Sequence, residues 1–159
     1  MSPNLQLVYF GKSSFDDLWL SSFLSTMIVE KLRLATREAY MMSFKVKSKD
    51  LYGLPERKVF SRLENTDAMA NPYRLYSIDK FPHDVFDPIG LYSGIPYLTG
   101  HSKTHDESIM WLTASETWVD ITDYKNEKLV NFISDAGVME FFLFGNQMIG
   151  PKKQVKTLA

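Results

Sequence analysis

Apolar residues return at two different periods along this chain, and the change falls near residue 42. From Ser14 to about Tyr40, Phe15, Trp19, Phe23 and Met27 follow at four-residue steps, with a second row at Leu20, Leu24, Ile28 and Leu32. This stripe predicts an amphipathic helix, and Ser14 with Asp17 has the spacing of a capping box that would satisfy its first amides. From Met42 the period becomes two, Phe44 and Val46 alternating with Lys45 and Lys47 as in a half-buried strand. Short aromatic and β-branched segments then recur: VFSRLEN, PYRLYSID, GLYSGIPYL, SIMWLT, ETWVDI, LVNFI and VMEFFLF. They are separated by clusters of Gly, Pro, Asp, Asn or His, the pattern of consecutive antiparallel strands.

The segments differ in what their faces carry. In ETWVDI, Thr117, Val119 and Ile121 share one face and Glu116, Trp118 and Asp120 the other, because successive strand side chains point to opposite sides. One face is predicted dry, and the other holds an indole between two carboxylates. VMEFFLF is apolar without alternation and suits a strand buried on both faces, whereas Gly94 and Pro96 suit an edge strand or a bulge. DLYGLPER, DAMANP, HSKTHDE, DYKNEK and SDAG read as turns, and KFPHDVFDPIG as a surface loop. PKKQVKTLA reads as the start of a helix. The expected architecture is mainly β, with an N-terminal helix and a C-terminal helix start. It divides into a helical segment over 1–42, a β-sheet domain over 43–151, which the resemblance given below implies is a β-sandwich, and the beginning of a helix over 152–159, which the same resemblance implies is a linker.

Composition narrows the functions. A chain of 159 residues suits one domain with a real core. A net charge of −1 leaves no basic excess to neutralise phosphates, so nucleic acid is not expected as a partner. With no cysteine there is no thiolate nucleophile, disulfide or cysteine zinc site. The apolar run Leu18–Val29 falls short of the roughly 20 residues of a membrane span and is flanked by charges. Asp16 and Asp17 stand where a signal peptide carries positive charge, so no leader is expected from this chain.

Glycoside hydrolysis uses two carboxyl groups roughly 5–9.5 Å apart. Glu116 and Asp120 share a strand face but lie about 13 Å apart on strand geometry, too far for that chemistry. Asp84 and Asp87 sit in a proline-containing loop, where aspartate commonly serves turn hydrogen bonding. His101 and His105 have the four-residue spacing of two metal ligands on a helix, but their surroundings are turn-like. No nucleophile elbow, phosphate loop or dinucleotide fingerprint is present. The expected catalytic, metal and cofactor sets are all empty.

PYRLYSID, LYSGIPYL and WLTASETWVDI resemble the N-terminal domain of family 31 glycoside hydrolases, and Tyr52, Gly53, Pro55 and Glu56 reproduce its tyrosine-glycine-x-proline-glutamate segment. The resemblance begins near Ser43 and implies a galactose-mutarotase-like β-sandwich that precedes a catalytic (β/α)8 barrel. Both catalytic aspartates of the family lie on that barrel, and this sequence stops before either. Ser77, Ser93 and Thr113 depart from the family's usual residues, which bears on substrate preference. By position in the motif, Asp79 and Phe81 take the places of a substrate-binding loop, an acceptor for sugar hydroxyls and an apolar wall. Read without the resemblance, Asp79 ends a strand in a turn. The resemblance implies an α-glucosidase that trims glucose from N-linked glycans in the endoplasmic reticulum, with carbohydrate, the barrel and a β subunit as partners. The alternative is a stand-alone, non-catalytic protein that binds carbohydrate or a partner through Trp118 or the Asp79 loop.

Overall fold

A computed structural model describes residues 5–10, 28–34, 37–58, 60–69, 71–81, 89–103, 105–136 and 139–147. Ten strands run in chain order through these residues: β1 (Leu5–Phe10), β2 (Ile28–Leu34), β3 (Arg37–Val46), β4 (Asp50–Gly53), β5 (Tyr73–Leu75), β6 (Tyr97–His101), β7 (His105–Leu112), β8 (Thr117–Tyr124), β9 (Glu127–Ser134) and β10 (Met139–Gln147). They form two five-stranded sheets, ordered β1-β10-β7-β6-β4 and β2-β3-β9-β8-β5. All pairings are antiparallel except β1 with β10.

Register decides which residues fill the space between the sheets. In the second sheet Met42 lies across from Phe132 and Phe132 from Val119, while Phe44 pairs with Val130 and Val130 with Ile121. In the first, Phe141 faces Trp111, Leu143 faces Ile109, and Ile109 faces Leu98. All of these are buried in one hydrophobic cluster. Rings bridge the sheets: Phe44 meets Phe141 at 5.4 Å between centroids, and Trp111 stacks on Phe132 at 5.2 Å. Each such side chain, fully removed from water, contributes roughly 1.5–3 kcal/mol, so the sandwich is held by this aromatic centre.

The dry face predicted for ETWVDI is present, with Thr117, Val119 and Ile121 buried and Glu116, Trp118 and Asp120 half-buried. Of VMEFFLF, Met139 to Phe144 lie in β10 between β1 and β7, with Phe141, Leu143 and Phe144 buried and Phe142 half-buried. Other expectations are corrected. Residues 28–34 and 37–40 are in strands rather than in the second half of a helix, and the strand expected from Met42 is present as the later part of β3; residues 14–27 lie outside the described residues, as does the C-terminal helix start. β2 pairs along its whole length with the adjoining β3, which is itself anchored by its long-range ladder with β9, and that pairing overrides a weak local period. VFSRLEN forms no strand among its described residues, making only a bridge from Arg62 to Tyr52, and DAMANP opens with the one-turn helix Thr66–Met69. Gly94 and Pro96 lie in irregular chain ahead of β6.

Candidate functional site

The site is built from three stretches at one end of the sandwich, and the turn after β4 is its hub. Gly53 has φ of +116°, and a Cβ there would lie 2.3 Å from the Tyr97 carbonyl oxygen, so only glycine fits. Leu54 also has positive φ, +52°, with its side chain fully buried. The turn then spends its backbone groups on the chain before β6. The Leu54 amide donates to Tyr97 O at 2.8 Å and the Glu56 amide to Ser93 O at 2.8 Å. Pro55 O accepts from the Ile95 amide at 2.8 Å, and Glu56 O from the Leu91 amide at 2.9 Å. Three of these bonds go to the irregular chain before β6 and one to Tyr97 at its start, so the turn's backbone groups find partners outside any ladder.

The third stretch leaves β5. Tyr73 and Leu75 are buried, and the chain then runs outward through Tyr76 to Phe81. It is seated by the Ile78 amide, which donates to Leu91 O at 2.8 Å. Gly94 allows the close approach, because a Cβ there would meet the Leu75 backbone at 3.1 Å. Asp79 is exposed, and Phe81 is 86% exposed. Both side chains are therefore open to solvent on a stretch whose start is tied by a backbone bond to the chain before β6.

Two arginines brace this end. The Nε–H of Arg57 donates to Leu54 O at 2.6 Å, its other arm reaches Arg74 O at 3.4 Å, and the guanidinium lies 4.9 Å from the centre of the Tyr73 ring. Burial lowers the pKa of Arg57 to about 10. Arg74 bonds Glu116 and lies 4.8 Å over the Tyr76 ring, and the bond to Glu116 raises its pKa.

The other sequence candidates fall elsewhere. Glu116 is taken by Arg74, and Asp120 accepts from Thr66 Oγ1 at 3.2 Å, so both carboxylates beside Trp118 are bonded within the protein. His101 ends β6 and bonds Asp106 through Nδ1 at 2.5 Å, while His105 opens β7, so the two histidines stand on neighbouring strands rather than one helical face. Among the described residues no group of three or more metal-ligating side chains forms. Asp84 and Asp87 lie outside the described residues. A shallow cleft of about 330 Å³ is lined by Tyr52, Gly53, Thr99 and His101. Sequence reasoning missed Arg57 and the buried Glu107, whose Oε1 accepts from the Ser48 amide at 2.7 Å. Glu107 shares a strand face with Ile109 and Trp111, and that parity was its signal.

Two stacked sheets of this register, with a backbone-bonded loop cluster at one end, define the mutarotase-like β-sandwich class. Residues 27–120 match the family described as the glycosyl hydrolase 31 N-terminal galactose mutarotase-like domain, and the chain belongs to that family. The match begins upstream of Ser43 and takes in β2 and the start of β3. Neutral alpha-glucosidase AB of Sus scrofa is 33% identical over 120 residues, covering 64% of this chain and 12% of that protein. Glucosidase 2 subunit alpha of Schizosaccharomyces pombe is 30% identical over 113 residues, 65% of this chain and 12% of that protein. A solved glucosidase II alpha subunit with bound Glc1Man2 aligns with a TM-score of 0.63 at 28% identity, over 73% of this chain and 14% of that one. The catalytic subunit in an ER glucosidase II heterodimeric complex aligns with a TM-score of 0.64 at 27% identity, over 75% and 15%. The chain therefore spans about an eighth of the length of the relatives it matches.

Proposed function

We propose that this chain serves as the sandwich domain of an α-glucosidase of the glucosidase II type, and that its Asp79–Phe81 loop helps to line the pocket for the substrate's glucose. The observation that supports this most directly is the loop's seating: Asp79 and Phe81 stand exposed immediately beyond a hydrogen bond that fixes Ile78 to Leu91. In this reading Asp79 accepts hydrogen bonds from sugar hydroxyls and Phe81 supplies an apolar wall. Hydrolysis itself belongs to a (β/α)8 barrel in the whole protein, where catalytic groups sit at the C-terminal ends of barrel strands. Solved relatives carry Glc1Man2 and alpha3-Glc2, which favours α-linked glucose on an oligosaccharide as substrate. The heterodimeric relative supports a regulatory subunit as partner and the endoplasmic reticulum as location. The Trp118 face is the weaker sugar site, because its flanking carboxylates already have protein partners.

The test is an NMR titration of the chain with methyl α-glucoside and maltose up to about 50 mM, the weak range expected for a partly open pocket. The expected response is shifts at residues 78–81 that Asp79→Asn removes. Flat spectra across that segment would overturn the proposed sugar contact.

A further inference from the structure

We infer that Arg57 is the positioning residue of the Asp79–Phe81 loop, acting through the turn of residues 53–57 and through the end of β5. Two routes run from its guanidinium to the loop. The first begins at Leu54 O, which accepts from Nε–H at 2.6 Å and belongs to the positive-φ turn. That turn holds Leu91 through Glu56 O at 2.9 Å, and Leu91 O in turn holds the Ile78 amide at 2.8 Å, one residue before Asp79. The second route is shorter, since the other arm of the fork reaches Arg74 O at 3.4 Å, on the middle residue of β5, five residues before Asp79.

The geometry calls for arginine in particular. One flat group donates to two carbonyls on different segments while its face lies 4.9 Å from the Tyr73 ring centre. A lysine ammonium is a compact point charge with no planar fork, and it cannot serve both carbonyls and the ring in this way. Tyr73 is itself pinned, its hydroxyl accepting from the Glu64 amide at 2.8 Å and donating to Glu64 O at 2.9 Å. The guanidinium therefore rests on a fixed ring. Burial lowers its pKa to about 10, which leaves it charged at neutral pH, and hydrogen bonds to charged donors are the stronger kind. The consequence for sugar affinity rests on the reading of Asp79 and Phe81 proposed above; the positioning itself does not.

Hydrogen exchange followed by NMR separates the two. The Ile78 amide is compared in the wild type, Arg57→Ala, Arg57→Lys and the core variant Val130→Ala, which lowers stability without touching the loop. Both Arg57 variants are expected to speed Ile78 exchange about tenfold more than they speed the paired amides of β8 and β9, the size of effect that one lost charged hydrogen bond gives. Arg57→Lys keeps the charge and secures the test if Arg57→Ala fails to fold. Ile78 exchange that changes no more in the Arg57 variants than in Val130→Ala, or that Arg57→Lys leaves at the wild-type value, overturns the proposal. A second arm titrates methyl α-glucoside into Arg57→Lys, Asp79→Asn and the double variant. Arg57→Lys is expected to weaken the sugar response alone and the double variant to show none, as for Asp79→Asn; a wild-type response in Arg57→Lys would overturn the consequence for sugar affinity. If Asp79→Asn leaves the sugar response unchanged while Ile78 still answers to Arg57→Lys, the sugar reading falls and the positioning role stands.

Discussion

Gly53 shows how a single backbone angle decides a residue. At φ of +116°, 2.3 Å from where a Cβ would meet Tyr97 O, alanine brings both strain and a clash with backbone that cannot step aside. Gly53→Ala is expected to cost at least about 2 kcal/mol, read as a lower urea midpoint at unchanged slope. Asp123 makes a different kind of prediction. Its carboxylate is held below the usual carboxylate range by the hydrogen bond from Lys128 at 2.7 Å and next by that from Asn65 at 2.7 Å. A depressed folded-state pKa adds stability that is present above the unfolded value of about 3.9 and is lost as the pH falls through the folded value. Thermal melts between pH 6 and pH 3 are therefore expected to fall more steeply for the wild type than for Asp123→Asn.

At the level of elements, the ladders explain both the successes and the failures of pattern reading. β8 was legible because its alternation matches burial residue by residue, Thr117, Val119 and Ile121 inward. β2 was not, since IVEKLRL places apolar residues at positions compatible with either period, and its pairing with β3 settles the matter from outside the segment. The same ladders create pairs that no local pattern reveals. Thr117 and Ser134 lie opposite each other, and their hydroxyls meet at 2.8 Å in a buried site. Thr117→Val is expected to cost about 1–3 kcal/mol by leaving the Ser134 hydroxyl without this partner, and adding Ser134→Ala should recover part of the loss. Denaturant unfolding of the two singles and the double measures the coupling. Fully additive costs would show that the bond contributes nothing.

For the whole molecule, the expectation is that the chain alone turns over no glycoside. Retaining hydrolysis needs a nucleophile and an acid held about 5–5.5 Å apart in environments that separate their pKa values. Here Glu116 is committed to Arg74 and Asp120 to Thr66, at opposite ends of one strand face. Among the described residues of its loop Asp79 is the one carboxylate, and in the reading proposed above it supplies binding, not two-step chemistry. Incubation with an activated aryl α-glucoside over a range of pH checks this against buffer. Turnover that survives re-purification and disappears in Glu116→Gln would place an active site on the sandwich itself.

The sequence by itself determined a mainly β core and the dry face of β8, because alternation is a local consequence of how strand side chains point, while the sandwich class followed from the family resemblance of its motifs. It also carried the motif that gives Asp79 and Phe81 their proposed role, and the turn residues Gly53 and Pro55. What it did not determine is where those motifs meet. The 53–57 turn, the end of β5 and the chain before β6 lie far apart in sequence and share no period, and only the tertiary structure brings them within hydrogen-bonding distance. Arg57 could be read from the sequence only as a charged residue in a turn. Its role arises from two carbonyls and a ring contributed by different segments, a geometry that exists only once both sheets are packed.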